Sequence, residues 1–190
     1  MAGRFRRVHG GLGGRGGHGR VAVTLDDVEA RILRHLLDEL LELLGEDETP
    51  EADDAGDPLA ADVGIGAATT IPDDPVLARL FPDAYTSDPE AAAEFRRYTE
   101  RDLRSRKRST ARAVLATLDA APGRLVLSAE QAQAWLGALN DLRLALGERL
   151  GITEDHYDED VADDDDPRAY PLAVYDLLTF LQETLVRSLD

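Results

Sequence analysis

Apolar side chains recur every three or four residues along four long segments of this 190-residue chain. In the first segment Val28, Ile32, Leu36 and Leu40 follow one another at four-residue intervals. The same spacing returns at 88–118, 128–150 and 167–189. Because this spacing places apolar side chains on one side of an α-helix, and that side must be buried, the pattern predicts a bundle of four helices.

Residues that favour helix ends flank these segments. Aspartate followed by proline suits a helix start, and a serine three residues before a glutamine forms a capping box. Glycine commonly follows the last helical residue. The expected signals are Thr24 and Gly45 around the first helix, Asp74-Pro75 before a short helix, Asp88-Pro89 before the long helix, and Ser128 with Gln131 and then Gly151 around the next.

Three short runs, at 4–8, 20–24 and 124–127, have the composition of β-strands. We therefore predict a mainly α protein, a bundle of four substantial helices plus a short one, with a minor sheet of two or three short strands. Residues 1–190 are expected to form a single domain. Three segments with little to bury are predicted to be a flexible glycine-rich loop or tail at 9–19, a flexible acidic linker at 46–70 and an acidic loop at 152–166.

The composition excludes several functional classes. The chain has no cysteine, which removes disulfides, thiolate nucleophiles and cysteine-ligated metals. No run approaches the roughly 20 apolar residues that a membrane span needs, and the first 20 residues lack the apolar centre of a secretory signal. The expected location is therefore the cytoplasm, without membrane contact.

No residue pattern indicates catalysis. The nine acidic residues of the 152–166 loop lack the glycine and the ligand spacing of a calcium loop, so they are interpreted as solvated. The four histidines include no pair at helical i, i+4 spacing, and no serine lies in a nucleophile motif. We predict that the protein is not an enzyme and has no catalytic, cofactor-binding or metal-binding residues.

Positive charge is concentrated on the long helix although the net charge of the chain is −17. The segment 95–112 has eight basic residues and two acidic ones. Five arginines fall within a narrow sector of a helical projection and form a candidate partner or nucleic-acid face: Arg97, Arg101, Arg104, Arg108 and Arg112. Such a face suits an acidic protein or a phosphate backbone, but pairing with the protein's own carboxylates is favoured over nucleic acid. DNA contact is expected to be weak or indirect. The sequence leaves open whether the protein forms a homo-oligomer.

A second constellation lies between Trp135 and Leu150. Arg143 continues the line of Leu136, Leu139 and Leu146, so it is expected to be at least half-buried and paired with an acidic side chain on another helix. Asn140, one turn earlier, could bind the same partner. The polar and aromatic residues of this motif are interpreted first as structural: Trp135, Asn140, Asp141, Arg143 and Arg149.

With its Trp-Leu, Leu-Asn-Asp-Leu-Arg-Leu and Arg-Leu groups between residues 135 and 150, the chain resembles an actinobacterial family long known as a domain of unknown function. Members of this family are labelled AosR-like oxidative-stress transcriptional regulators. The resemblance extends over 75–85, 91–97 and 175–183. It implies a regulator that senses oxidation through cysteines and cooperates with a sigma factor or RNA polymerase component. Because this chain has no cysteine, only the role in binding a partner or DNA can carry over.

We therefore expect a non-enzymatic regulatory protein that acts through protein–protein contact with the transcription machinery. The alternative is a structural or adaptor module with no nucleic-acid role.

Overall fold

A computed structural model describes residues 3–8, 20–45, 70–85, 87–120, 123–153 and 166–190. The strands are β1 (Arg6–Val8), β2 (Arg20–Thr24) and β3 (Arg124–Leu127). The helices are α1 (Asp27–Leu44), α2 (Pro75–Leu80), α3 (Pro89–Ala120), α4 (Ala129–Leu150) and α5 (Ala169–Leu189). Four substantial helices, a short one and a small antiparallel sheet confirm the predicted fold class.

Most helix boundaries follow the local signals. Asp74 caps α2 ahead of Pro75, Ser128 and Gln131 form the capping box of α4, and Gly151 ends α4 with φ at +67°. The start of α1 differs from the expectation, because its N-cap is Asp26 rather than Thr24. Asp26 has a partner three residues on, Glu29, whose carboxylate accepts from the Asp26 amide and completes a capping box.

The sheet has the order β1-β2-β3, with both neighbouring pairs antiparallel. Ala22 in the central strand pairs with Arg6 on one side and Val126 on the other. Val21, Val23, Leu125 and Leu127 are buried against the helices. The sheet thus closes one side of the helical core.

Helix α4 lies at the centre of the bundle and packs against α1, α2, α3 and α5. Its Trp135 is 1 % exposed, meets the ring of Phe5 edge to face at 5.5 Å, and donates from Nε1 to Thr117 Oγ1 at 2.9 Å. The indole therefore fills the core while its one polar group has a partner.

The N-terminal segment is fastened to the last helix. The Phe5 amide donates to Thr184 Oγ1 at 3.2 Å, and the Arg7 side chain donates to the carbonyls of Ser188 and Leu189 at 3.3 and 3.1 Å. On the other side, the Gly3 amide donates to the buried carboxylate of Glu29. Residues 3–8 thus join α1 to the C-terminal end of α5.

The buried side of α3 differs from the expected one. The apolar series had placed Phe95 and Leu103 inside, yet they are 45 % and 37 % exposed. Charged residues replace them on the inner side of the first half of the helix, where Arg96 and Glu100 are buried. Only beyond Ala111 does α3 bury an ordinary apolar side, with Val114 and Leu118.

The segments predicted as a loop or tail at 9–19, a linker at 46–70 and an acidic loop at 152–166 lie outside the described residues, except for residues 70, 152, 153 and 166. These predictions and that of a single domain remain predictions. Among the described helices, none is both long and apolar enough to cross a membrane.

Candidate interaction surface

The five arginines of the candidate face do not share one environment. Arg97, Arg101 and Arg112 are exposed, Arg104 is half-buried, and Arg108 is only 3 % exposed. The five arginines share a sector of the helix, but that sector is divided between solvent and the protein interior. Arg104 and Arg108 belong to the interior contacts of α3, so the exposed part of the candidate face reduces to the other three.

The two inward arginines bind the C-terminal end of α1. Arg104 and Arg108 donate from Nη1 to the Leu44 carbonyl at 3.2 and 3.3 Å, and Arg108 also reaches the Gly45 carbonyl at 3.4 Å. The last turn of α1 has no basic residue of its own. Because the final carbonyls of a helix are unpaired and carry partial negative charge, guanidinium groups from α3 satisfy and neutralise this end.

Next to this contact lies a buried ion-pair network. Arg96 binds the carboxylates of Asp83, at 2.7 Å, and Glu100, and also donates to the Phe81 carbonyl. Glu100 accepts from Arg104 Nη2 at 2.9 Å. Burial lowers the pKa of Arg96, but the hydrogen bonds and charges of the two carboxylates outweigh it and raise that pKa above its ordinary value. The guanidinium therefore stays charged.

A second buried pair links α3 to α4. Lys107 Nζ lies 2.6 Å from Asp141 Oδ1, and both side chains are largely buried. The ring of Phe81 supports the cations of this region, since its centroid lies 4.6 Å from the Arg104 guanidinium carbon and 5.9 Å from Lys107 Nζ. Asp141, a residue of the 135–150 motif, thus has a structural contact.

On the opposite side of α3, aromatic rings face solvent. Tyr85, Phe95 and Tyr98 are 50 %, 45 % and 51 % exposed, and the rings of Tyr85 and Phe95 meet edge to face at 5.9 Å. Arg97 and Arg101 flank Tyr98 within one turn. We call the group Tyr85, Phe95, Arg97, Tyr98 and Arg101 the α3 outer surface.

Sequence reasoning found the arginines of this surface but missed its aromatic residues. Phe95 had been assigned to the interior, and Tyr85 to a turn without a role. A signal was present, because Phe95, Tyr98 and Arg101 follow at three-residue intervals and so lie along one side of the helix.

The other motif residues have varied surroundings. Trp135 is in the core, Asn140 is exposed, and Arg149 forms an exposed ion pair with Glu39 at 3.0 Å. Arg143 is half-buried and contacts α5 as expected, but not through an acidic side chain. Its guanidinium donates to Thr179 Oγ1 at 3.0 Å, Gln182 Oε1 at 2.7 Å and Tyr175 Oη at 3.3 Å, all of which are neutral.

The described part of the chain brings together no group of three histidine or acidic side chains that could hold a metal ion. His35, on α1, lies 3.4 Å from Glu39 of the same helix in an exposed position. Among the described residues, the α3 outer surface is best suited to binding a partner molecule, because exposed aromatic rings and guanidinium groups lie together there.

Comparison with known proteins identifies the same family that the motif between residues 135 and 150 indicated. The family described as "Domain of unknown function (DUF2017)" matches residues 2–189. The "Putative oxidative stress regulator AosR" of Mycobacterium leprae is 39 % identical over 179 residues, covering 85 % of this chain and 78 % of the relative. The "Oxidative stress regulator AosR" of Mycobacterium tuberculosis is 34 % identical over 184 residues, covering 88 % and 81 %. No solved structure matches the chain. The chain thus belongs to the DUF2017 family, which confirms the resemblance to AosR-like proteins.

Proposed function

We propose that this protein is a non-enzymatic regulator that acts by binding a protein component of the transcription machinery. The observation that carries the proposal is the α3 outer surface, which exposes three aromatic rings beside two arginines. The names of its relatives, oxidative stress regulators, support the regulatory role. The proposal places the protein in the cytoplasm, with the transcription machinery.

The composition of this surface suits recognition of another protein. Tyrosine and arginine are enriched among the residues that dominate binding energy at protein interfaces, because they combine large apolar area with directional hydrogen bonds. In a protein of net charge −17, the guanidinium groups of Arg97 and Arg101 form a local positive area. Such an area favours a partner with acidic side chains around an apolar centre.

The charge distribution gives little support to direct DNA recognition. With Arg104 and Arg108 directed inward, fewer arginines of α3 are available to phosphates than the sequence indicated. The negative field of the whole chain also opposes approach to a polyanion. Any contact with DNA is therefore proposed to be weak, or to pass through the protein partner.

Affinity capture from the native host tests the proposal with a pair of matched variants. The wild-type chain is expected to retain a transcription component, and a Tyr98→Ser/Arg101→Glu variant to lose it. Arg31→Glu makes the same charge change at an exposed position of α1 and is expected to retain the component. Equal retention by all three proteins, or recovery of no transcription component, would contradict the proposal.

A structural or adaptor role is the second candidate, and one observation favours it. Arg96, Arg104 and Lys107 are engaged with carboxylates inside the protein, as expected if the basic residues serve to hold the helices together. An adaptor would bind partners without any link to transcription. A third possibility is a homo-oligomer formed through the α3 outer surface. Size-exclusion chromatography would then show a larger species for the wild type than for the Tyr98→Ser/Arg101→Glu variant.

A further inference from the structure

A cleft of about 290 Å³ lies between α4 and α5, and its lining includes Arg143, Gln182, Val186 and Arg187. It is separate from the α3 outer surface and from the ion-pair network. Arg143 comes from α4, whereas the other lining residues belong to α5: Thr179, Gln182, Glu183, Val186 and Arg187. The cleft is open to solvent at the Arg187 end, where that side chain is 72 % exposed.

Arg143 contributes a positive charge to this cleft and is not itself paired with a carboxylate, since Glu183, the acidic residue of the lining, binds Arg187. Its three hydrogen bonds go to a threonine hydroxyl, a glutamine amide oxygen and a tyrosine hydroxyl. Within the described ranges no acidic side chain lies at ion-pair distance from it. Because a partly desolvated guanidinium is stabilised by an anionic partner, this position favours a bound anion.

The remaining hydrogen-bonding groups of the cleft are mainly donors. A guanidinium has five N–H groups, and three hydrogen bonds leave Arg143 with further donors. Gln182 accepts through Oε1, and the two N–H groups of its amide are further donors. Val186, 42 % exposed, adds an apolar wall. Such a set suits an acceptor with a short aliphatic part.

The guanidinium is held in a fixed position. The ring centroid of Tyr175 lies 5.3 Å from the Arg143 guanidinium carbon. Tyr175 can approach α4 because residue 147 is glycine: a Cβ there would come 3.3 Å from Cε2 of the ring. A preorganised cation loses less conformational freedom on binding a ligand than a mobile surface arginine does.

We propose that this cleft binds the carboxylate group of a small organic acid, with Arg143 as the charge partner. The charged residues that line the cleft are Arg143, Arg187 and Glu183, and Glu183 pairs with Arg187 at 3.0 Å. The positive charge left on Arg143 matches a monoanion better than a phosphate. The net charge of −17 does not prevent binding, since salt screens distant charges beyond about 8 Å at physiological ionic strength.

Nuclear magnetic resonance of the full ¹⁵N-labelled chain tests the proposal, with sodium acetate as the probe. The Arg143 Nε–H and Gln182 side-chain amide signals are expected to shift and saturate with acetate, and not with sodium chloride at the same ionic strength. Arg143→Gln, followed through Gln182, is expected to bind acetate about tenfold or more weakly, because a charge-assisted hydrogen bond is lost. Arg149→Gln, at an exposed arginine of the same helix, serves as the matched control and is expected to bind like the wild type.

Gln182→Glu provides a second test that does not remove the arginine. It places a carboxylate where Oε1 already lies 2.7 Å from the Arg143 Nη1 atom. The built-in carboxylate is expected to abolish the saturable acetate shift of the Arg143 Nε–H signal and to raise the midpoint of thermal unfolding. An undiminished acetate response in this variant would overturn the proposal. Linear shifts in the wild type, or saturation by sodium phosphate but not by acetate, would overturn it as well.

Discussion

The ion pairs of this protein differ sharply in burial, and burial is expected to govern what each contributes to the free energy of unfolding. Lys107 and Asp141 form a pair whose side chains are 14 % and 8 % exposed. Arg34 and Asp119 form a pair of similar length, 3.0 Å, with side chains 35 % and 70 % exposed. Water screens the second pair but not the first.

Asp141→Asn is therefore expected to be strongly destabilising. It leaves the Lys107 ammonium buried without a carboxylate, at a cost of about 3–5 kcal/mol in the free energy of unfolding. Asp119→Asn should cost roughly 1 kcal/mol or less. Urea denaturation of both variants measures the contrast, and equal losses would show that burial does not control these pairs.

Arg143 shows where reasoning from residues reached its limit. Its position beside an apolar series predicted partial burial and a contact with another helix, and the structure has both. Whether Arg143 would bind a charged or a neutral side chain could not be predicted. Opposite Arg143, α5 has neutral Thr179 and Gln182, although Glu183 is only one residue further along the chain. A rotation of a helix by one residue changes the partner, and sequence does not fix such rotations.

At the scale of elements, α3 combines two functions along its length. From Ala111 onward it buries apolar side chains, whereas between Arg96 and Arg108 it buries charges that hold α1 and the segment after α2. Phe95 and Tyr98 are turned outward. Arg96 contacts the chain just after α2 through the Phe81 carbonyl, and Arg108 contacts the end of α1. The long helix therefore acts as a brace for the two elements before it.

Arg108→Ala tests this bracing. Loss of its hydrogen bonds to the Leu44 and Gly45 carbonyls should destabilise the fold by about 1.5–3 kcal/mol. It should also speed hydrogen exchange in the last turn of α1 more than in its first turns, since unpaired carbonyls at a helix end allow fraying. Arg97→Ala, at an exposed position of the same helix, should change stability by no more than about 0.5 kcal/mol. Uniform exchange along α1 in the Arg108 variant would contradict the bracing role.

Helix boundaries could be predicted closely because their causes are local. Pro75, the Ser128–Gln131 capping box and Gly151 act within a few residues of the ends that they define. The buried side of α3 could not be predicted, because it depends on carbonyls and carboxylates supplied by α1, by the segment after α2 and by α4. The α3 outer surface was missed for the same reason, since Phe95 is apolar and only the packing of other elements shows that it faces solvent.

For the molecule as a whole, the segregation of charge governs contact with nucleic acid. The net charge of −17 produces a field that repels DNA, and the outward arginines of α3 oppose this field locally.

Isolated protein is accordingly expected to bind duplex DNA weakly and with a strong dependence on salt. Replacing Arg97 and Arg101 together with glutamate should abolish this binding, or at least lower the slope of log K against log salt by about 2. Fluorescence anisotropy over a salt series gives the slope, with Arg31→Glu as the control. An unchanged slope in the double variant would exclude the α3 outer surface as the DNA contact.

Cysteine content governs the response to oxidants. With no thiol and a single methionine, Met1, the chain cannot form a disulfide or a sulfenic acid. Treatment with peroxide should leave its mobility on a non-reducing gel and its oligomeric state unchanged. A reversible change in either would mean that the protein senses oxidants through a chemistry other than the oxidation of cysteine thiols. Regulation by this protein is thus expected to depend on binding rather than on its own oxidation.

The attachment of residues 3–8 to the end of α5 affects the order in which the protein can fold. The amide of Phe5 donates to the Thr184 hydroxyl, and the Arg7 side chain donates to the Ser188 and Leu189 carbonyls. Donor and acceptor are about 180 residues apart in the sequence. As a ribosome makes the N-terminal end first, β1 must wait for nearly the whole chain before these contacts can form. Closing so long a loop is also entropically costly and slow compared with helix formation. The contacts of residues 3–8 with α5 are therefore expected to form last, after the helices have been synthesised and packed.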